Sequence, residues 1–240
     1  MDPVSDARRM ISESARIIAL TGAGMSAESG VPTFRGRGGL WRNYEPQQLA
    51  TPEAFARDPL LVWEWYNWRR AAIHEAQPNA GHKALAALEQ TGRHVTIITQ
   101  NVDSLHSRAG STHVIELHGS IWKSVCTGCA AVFWDRRGKL STLPPLCPEC
   151  HQMLRPGVVW FGESLPPMAW QASAEACSEA EVLLVIGSSG VMYPAADLAP
   201  IARQAGARVI EINLEPTALS SLADLSFHEA AGQILPKLLQ

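Results

Sequence analysis

RIIALTGAGMSA, residues 16–27, decides the fold: a short apolar run passes directly into Gly22-Ala23-Gly24-Met25-Ser26-Ala27. An unbroken run of this kind suits a parallel strand buried on both faces. The glycines behind it fit G-x-G-x-x-G/A, which lets backbone amides approach a pyrophosphate at a helix N-terminus. An ordinary glycine-rich turn is the alternative at this point. Three more β-branched runs, HVTIITQ at 94–100, EVLLVIGSS at 181–189 and ARVIEIN at 207–213, alternate with helix-compatible segments. HVIEL at 113–117 and VVWFG at 158–162 read as further strands. Strands alternating with helices imply a Rossmann-like, doubly wound parallel sheet of the α/β class.

Two stretches interrupt the alternation. Residues 37–93 are rich in Trp and Ala and read as a helical module, and residues 120–156 hold four cysteines and little that builds a core. The expected division is therefore 1–36, 94–119 and 157–240 for the nucleotide-binding domain, 37–93 for the helices and 120–156 for a metal module. Both insertions are expected to close over one cleft.

The balance of 20 Lys+Arg against 23 Asp+Glu, a net charge of −3, excludes a protein that coats nucleic acid or an anionic membrane through overall charge. A hydrophobic content of 46% in 240 residues is enough for a folded core, and no apolar run reaches a membrane span of roughly 18 residues. With no apolar leader behind the charged N-terminus, a cytoplasmic monomer without membrane or nucleic-acid partners is expected.

The glycine loop does not announce a dehydrogenase. About 20 residues on, that fold places an acid for the ribose at the end of a second strand, and none is present. The chain continues instead as Glu28-Ser29-Gly30-Val31-Pro32-Thr33-Phe34-Arg35-Gly36, a segment suited to folding over a ligand. After the strand at 94–100, Gln100, Asn101 and Asp103 stand at the sheet edge where open α/β folds bind ligands. Asp103 and Ser104 also suit a helix cap, and both roles can coexist. His118 follows another strand and precedes Gly119; an imidazole there can exchange a proton near neutral pH. The other histidines, His74, His82 and His94 among them, carry only the reading of surface or core residues.

Cys126-Thr-Gly-Cys129 and Cys147-Pro-Glu-Cys150 match the spacing of a zinc ribbon. Four thiolates close a tetrahedral sphere, so one structural Zn2+ is expected, in preference to a redox dithiol. Cys177 lies in a helical stretch and reads as core.

Taken in order, GAGMSAESGVPTFRG, TQNVD, ELHGS, the cysteine pairs, VVWFGE, GSS with YPAA, and IEIN with LEP resemble the sirtuin family, NAD-dependent protein-lysine deacylases. The resemblance is nearest to bacterial members akin to the desuccinylase and demalonylase branch. It implies that NAD lies across the sheet edge, with Gly22, Ala23, Gly24, Ser26, Phe34 and Arg35 around the pyrophosphate and nicotinamide, and Trp41 among the cofactor contacts. Gln100, Asn101 and Asp103 would hold the nicotinamide ribose and carboxamide. Gly187, Ser188, Ser189, Asn213, Leu214 and Glu215 would take the adenosine half, with Ala231 near the adenine.

The family chemistry implied is transfer of the acyl group from lysine to ADP-ribose with release of nicotinamide. His118 would be the general base on a ribose hydroxyl, with Asn101 beside it as a second catalytic residue. Val159, Trp160, Phe161 and Gly162 would meet the substrate. Tyr66 and Arg69, three apart on one helix, match the pair that reads succinyl- and malonyl-lysine, and Ala50 matches the small residue that widens the acyl pocket. Acetyl-, succinyl- and malonyl-lysine of proteins are thus the expected substrates. A mono-ADP-ribosyltransferase or an NAD-sensing module without turnover are the alternatives.

Overall fold

The computed structural model describes residues 2–34, 39–40 and 45–240. Arg35 and Trp41, both expected at the cofactor, lie outside the described residues.

The chain begins with helix α1 (Pro3–Ser12), capped by the Asp2 carboxylate, and enters strand β1 (Arg16–Thr21). A 3-10 turn (Ala23–Ser29) follows, then α2 (Pro46–Leu49), α3 (Pro52–Arg57), α4 (Pro59–Glu75) and α5 (Ala80–Glu89). Next come β2 (His94–Thr99), α6 (Leu105–Ala109), β3 (Val114–Glu116), β4 (Gly119–Cys126), β5 (Val132–Trp134) and β6 (Leu154–Val158). The last part is α7 (Pro167–Ser178), β7 (Val182–Ile186), α8 (Leu198–Gln204), β8 (Arg208–Ile212), β9 (Leu225–Phe227) and α9 (Ala231–Leu238).

Six strands form one parallel sheet in the order β3-β2-β1-β7-β8-β9. The chain winds outward from β1 in one direction, returns to its other side and winds away again. This is the doubly wound arrangement expected, with its switch point between β1 and β7, where ligand clefts form in such sheets. Alternate residues face opposite layers. Ile17, Ala19, Val182, Leu184 and Ile186 pack with Ile11, Leu85 and Ile234 of α1, α5 and α9. Ile18, Leu20, Leu183 and Val185 pack with Cys177, Leu198 and Ala202 of α7 and α8.

A third core corrects one expectation. The cysteine region does build a core: Ile121, Trp122, Cys126, Cys147 and Leu154 are buried together with Val62, Trp63 and Tyr66 of α4. The antiparallel sheet β5-β4-β6 supplies one wall of this lobe, and α2 to α4 supply the other. Two side chains of α4 tie the walls together. Trp63 donates its indole N–H to the Leu154 carbonyl at 2.7 Å. Arg70, fully buried, donates to the carbonyls of Ile121, Asp135 and Arg137 at 2.7, 2.6 and 2.9 Å. Leu85 and Leu88 of α5, by contrast, belong to the core of the large sheet.

The VVWFG stretch is also corrected. Only its first residue is in strand β6; from Val159 the chain leaves the sheet because its polar groups are claimed elsewhere. The Val159 amide donates to the His118 carbonyl at 2.9 Å, the Trp160 amide to Glu163 Oε2 at 2.8 Å, and the Phe161 amide to the Ala50 carbonyl at 2.9 Å.

Candidate active site

A cleft of about 640 Å³ opens between the carboxyl ends of the large sheet and the second lobe. Its floor is the switch point itself. The Gly22 amide donates to the Ile186 carbonyl at 2.9 Å and the Gly24 amide to the Gly187 carbonyl at 2.9 Å. Backbone meets backbone here: a Cβ on Gly22 would stand 2.7 Å from the Gly187 oxygen, and one on Gly24 would stand 2.7 Å from the Gly187 Cα. The glycines therefore serve chain packing as well as access for a ligand.

Of the expected cofactor residues, Gly22, Ala23, Gly24, Phe34, Gln100, Asn101, Gly187, Ser188, Ser189, Asn213, Leu214, Glu215 and Ala231 line the cleft. Ser26 and Asp103 do not. Both are buried behind the glycine loop, where the Ser26 hydroxyl donates to Asp103 Oδ2 at 2.8 Å. Asn101 reaches the same point, donating to the Gly22 carbonyl at 2.9 Å and to the Ser26 hydroxyl at 3.2 Å. Asp103 also accepts from the Leu105 amide at 2.8 Å and so holds the first amide of α6 while bracing the loop, whereas Ser104, the N-cap residue, makes no side-chain cap and donates to Glu116 Oε1 at 2.9 Å. Burial raises its pKa, against the Leu105 and Ser26 hydrogen bonds.

Behind this brace lie two histidines that the sequence alone did not single out. The rings of His82 and His106 are 4.7 Å apart, and His106 Nε2 is 3.0 Å from the Thr21 hydroxyl. Burial holds His82 down to about 4 and His106 down to about 3, so both are neutral.

His118 enters the cleft from the other side. Its Nδ1 lies 3.0 Å from the Gln100 carbonyl oxygen, which can only accept, so Nδ1 carries the proton and Nε2 keeps its lone pair. Burial lowers its pKa, and the neutral ring is the form a general base needs. The next residue must be glycine: Gly119 has φ +73°, and a Cβ would stand 2.3 Å from the Gly157 oxygen. On the adenosine side, Gln100 donates to the Ser188 hydroxyl at 3.0 Å and Asn213 to the Ser188 carbonyl at 2.9 Å, joining three strand ends.

The second lobe closes the cleft with Ala50, Trp65, Tyr66, Arg69, Val159, Trp160, Phe161 and Gly162. Every expected substrate residue is present. Arg69 is buried, with its guanidinium 4.7 Å from the Phe34 ring centre and 4.9 Å from that of Trp65. Among the described residues, no oxygen accepts a hydrogen bond from it. Desolvation lowers its pKa, opposed by Tyr66 and Asp103. Sequence reasoning did not single out Trp65 of the cleft wall, which no spacing signal marks; Met192 and Tyr193 line the wall too, in the stretch from GSS to YPAA that carries the resemblance.

The four cysteines stand apart from the cleft. Their sulfurs all lie within 4.8 Å of one another, with Cys126 and Cys150 3.3 Å apart and Cys129 and Cys147 3.7 Å apart. Zn–S bonds of about 2.3 Å give sulfur separations of about 3.8 Å in a tetrahedron, so the set fits one Zn2+. The amides of Cys129 and Gly128 point at Cys126 Sγ, at 3.4 and 3.3 Å, and hold its thiol below the ordinary value. Among the described residues, no helix is long and apolar enough to cross a membrane.

Residues 22–194 match the Sir2 family. An NAD-dependent protein deacylase 2 of Pyrobaculum aerophilum is 54% identical over 96% of this chain and 92% of its own length. An NAD-dependent protein deacylase of Aquifex aeolicus is 53% identical over 94% of this chain and 95% of its own length. A solved Sir2 homologue, a mutant in complex with 2'-O-acetyl ADP-ribose, superposes with a TM-score of 0.94 at 47% identity, covering 100% of this chain and 95% of that one.

Proposed function

The chain belongs to the Sir2 family and is an NAD-dependent protein deacylase; we propose that it takes acetyl and also succinyl or malonyl groups from protein lysines. The observation that carries the site assignment is the 3.0 Å contact of His118 Nδ1 with the Gln100 carbonyl, which assigns the proton to Nδ1 and leaves Nε2 as the base in the wall of a cleft whose floor is backbone amide. NAD supplies the ADP-ribose that accepts the acyl group and the nicotinamide that leaves.

The residues divide that work. Gly22 to Gly24, held by Asn101, receive the pyrophosphate end, while Gly187 to Ser189 and Asn213 to Glu215 receive the adenosine. Gln100 and Asn101 orient the ribose. His118 Nε2 takes a proton from a ribose hydroxyl, and because burial lowers its pKa it stays unprotonated through neutral pH. The acidic limb of kcat/KM therefore falls below the ordinary histidine value of about 6.5. Phe34, Trp160 and Phe161 shield the acyl group from water.

Selection of the acyl group rests on Tyr66 and Arg69. Acetyl-lysine leaves the Arg69 cation buried among aromatic rings with no hydrogen-bonded anion among the described residues, whereas a succinyl or malonyl carboxylate pairs with it. The substrate backbone adds as a strand between residues 158–163 and 187–194, through main-chain hydrogen bonds that tolerate varied flanking sequence. The cysteine set holds a structural Zn2+. Four cysteines committed to a metal and not to disulfides suit a reducing, cytoplasmic setting, and a monomer is proposed.

The test is a mass-spectrometric time course with NAD and two peptides that differ only in carrying acetyl- or succinyl-lysine. Loss of both acyl groups, with nicotinamide and acyl-ADP-ribose formed, is expected. Removal of acetyl alone would reduce Tyr66 and Arg69 to scaffold, and peptide labelled with ADP-ribose without acyl loss would point to mono-ADP-ribosyl transfer.

A further inference from the structure

The Tyr66 hydroxyl is not free to orient itself. Trp160 donates its indole N–H to that oxygen at 3.0 Å, and both side chains are buried. A phenol proton lies in the ring plane and has two sites; the indole N–H fills the lone pair on one side, which sends the proton to the other. Among the described residues no acceptor takes it. The Arg69 guanidinium lies 5.8 Å from the Tyr66 ring centre, and both side chains line the same cleft.

Trp160 is itself clamped. Arg155 meets Glu163 through two bonds, at 2.6 and 2.9 Å, and lays its guanidinium 3.6 Å from the centre of the Trp160 ring. The same Glu163 accepts the Trp160 amide at 2.8 Å, so one carboxylate holds both the backbone and the stacked partner of this tryptophan.

We infer that Trp160, held by the Arg155–Glu163 pair, is a specificity-determining residue: it fixes the Tyr66 hydroxyl as a hydrogen-bond donor that joins Arg69 on the carboxylate of an acidic acyl chain. This rests on reading Tyr66 and Arg69 as a carboxylate receptor. An acetyl group offers nothing for that proton, so the effect is confined to acidic acyl groups. Without the indole N–H the phenol proton is shared between two directions, and the receptor loses part of its preorganisation.

The experiment measures kcat/KM for succinyl- and acetyl-lysine peptides with the intact enzyme and with Trp160→Phe, Tyr66→Phe, Arg69→Met and the Trp160→Phe/Tyr66→Phe pair. Trp160→Phe should lower the succinyl-to-acetyl ratio of kcat/KM about 3- to 10-fold, on top of any loss that both substrates share through the altered cleft wall. The double variant should desuccinylate no more slowly than Tyr66→Phe alone, because the indole acts through the phenol. If Tyr66→Phe and Arg69→Met impair succinyl selectively while Trp160→Phe changes both activities alike or neither, the role of Trp160 is overturned and the receptor stands. If those two variants impair both substrates equally, the receptor falls and this inference with it. Should Trp160→Phe fail to fold, Glu163→Gln loosens the clamp with the indole in place; a smaller loss of succinyl preference supports the inference, and an unchanged ratio overturns it.

Discussion

The two ends of the cleft are made of different material. At the switch point between β1 and β7 the walls are backbone: glycine amides and carbonyls of Gly22, Gly24 and Gly187 in direct contact, braced from behind by Asn101, Ser26 and Asp103. At the far end the walls are side chains of the second lobe, aromatic rings around the buried Arg69. Backbone contact leaves no room for variation, since nearly any side chain would collide. A side-chain wall can change one residue at a time. On the proposed reading, the backbone end holds the cofactor whichever acyl group is bound, and the side-chain end selects the acyl group.

The largest expected effect falls where the two ends meet. His118→Ala should cut turnover by about 10²- to 10⁴-fold for acetyl and succinyl peptides alike, with NAD affinity retained. Steady-state kinetics and NAD titration by calorimetry check this, and near-normal turnover contradicts it. Next is metal removal. A strong chelator should unfold the second lobe, because Cys126 and Cys147 share its core with Trp63 and Trp122. The near-UV circular dichroism of those tryptophans should collapse along with activity, and a signal indifferent to chelation would show that the lobe does not need its ion.

Gly24→Ala probes the backbone end alone. Its methyl would press on the Gly187 Cα from 2.7 Å, which forces the loop and strand end apart. The KM for NAD should rise by about tenfold or more, with the succinyl-to-acetyl preference unchanged. A changed preference would mean that the two ends are not separate.

The smallest effect concerns stability. His82 and His106 are held near 4 and near 3, below the ordinary value of 6.5. The unfolded chain thus binds protons as pH falls below 6.5 while the folded one does not, and stability declines until the folded values are passed. Each contributes a slope of about 1.4 kcal/mol per pH unit in that window. Urea unfolding across the window should show a shallower slope for His82→Gln, and an identical slope would place the acid sensitivity elsewhere.

Much of the cofactor end is legible in sequence, because long apolar strands and the glycines between them are read from local pattern. β7 announces itself as a continuous Ile, Leu and Val run, and β1, β2 and β8 as runs rich in Ile, Leu and Val with a Thr, an Ala or the buried Glu211 among them. β9 is three residues, too short for any period to show. What lies behind the loop is not local. Ser26, Asp103, His82 and His106 come together from segments 20 to 80 residues apart, so nothing in the chain distinguishes the buried braces from cleft residues such as Gln100.

The second lobe is the less legible half. β4 carries Lys123 and Cys126, β5 is only three residues and β6 carries Arg155 and Pro156, and they become a core only once Val62 and Trp63 of α4 cover them. VVWFG has the composition of a strand, yet Glu163, Ala50 and His118 take its backbone groups first. The Tyr66 and Arg69 pair is visible as a spacing on a helix. Its setting, rings on several sides and no hydrogen-bond acceptor among the described residues, is visible only in three dimensions.

The separation of the two ends is tested most directly by Arg69→Met, assayed with acetyl- and succinyl-lysine peptides over a range of NAD. A fall in kcat/KM for succinyl of about tenfold or more, with acetyl kcat/KM and the KM for NAD held within about twofold, is the predicted result. Equal losses for both acyl groups, or a shifted KM for NAD, would contradict it and make Arg69 part of the common scaffold.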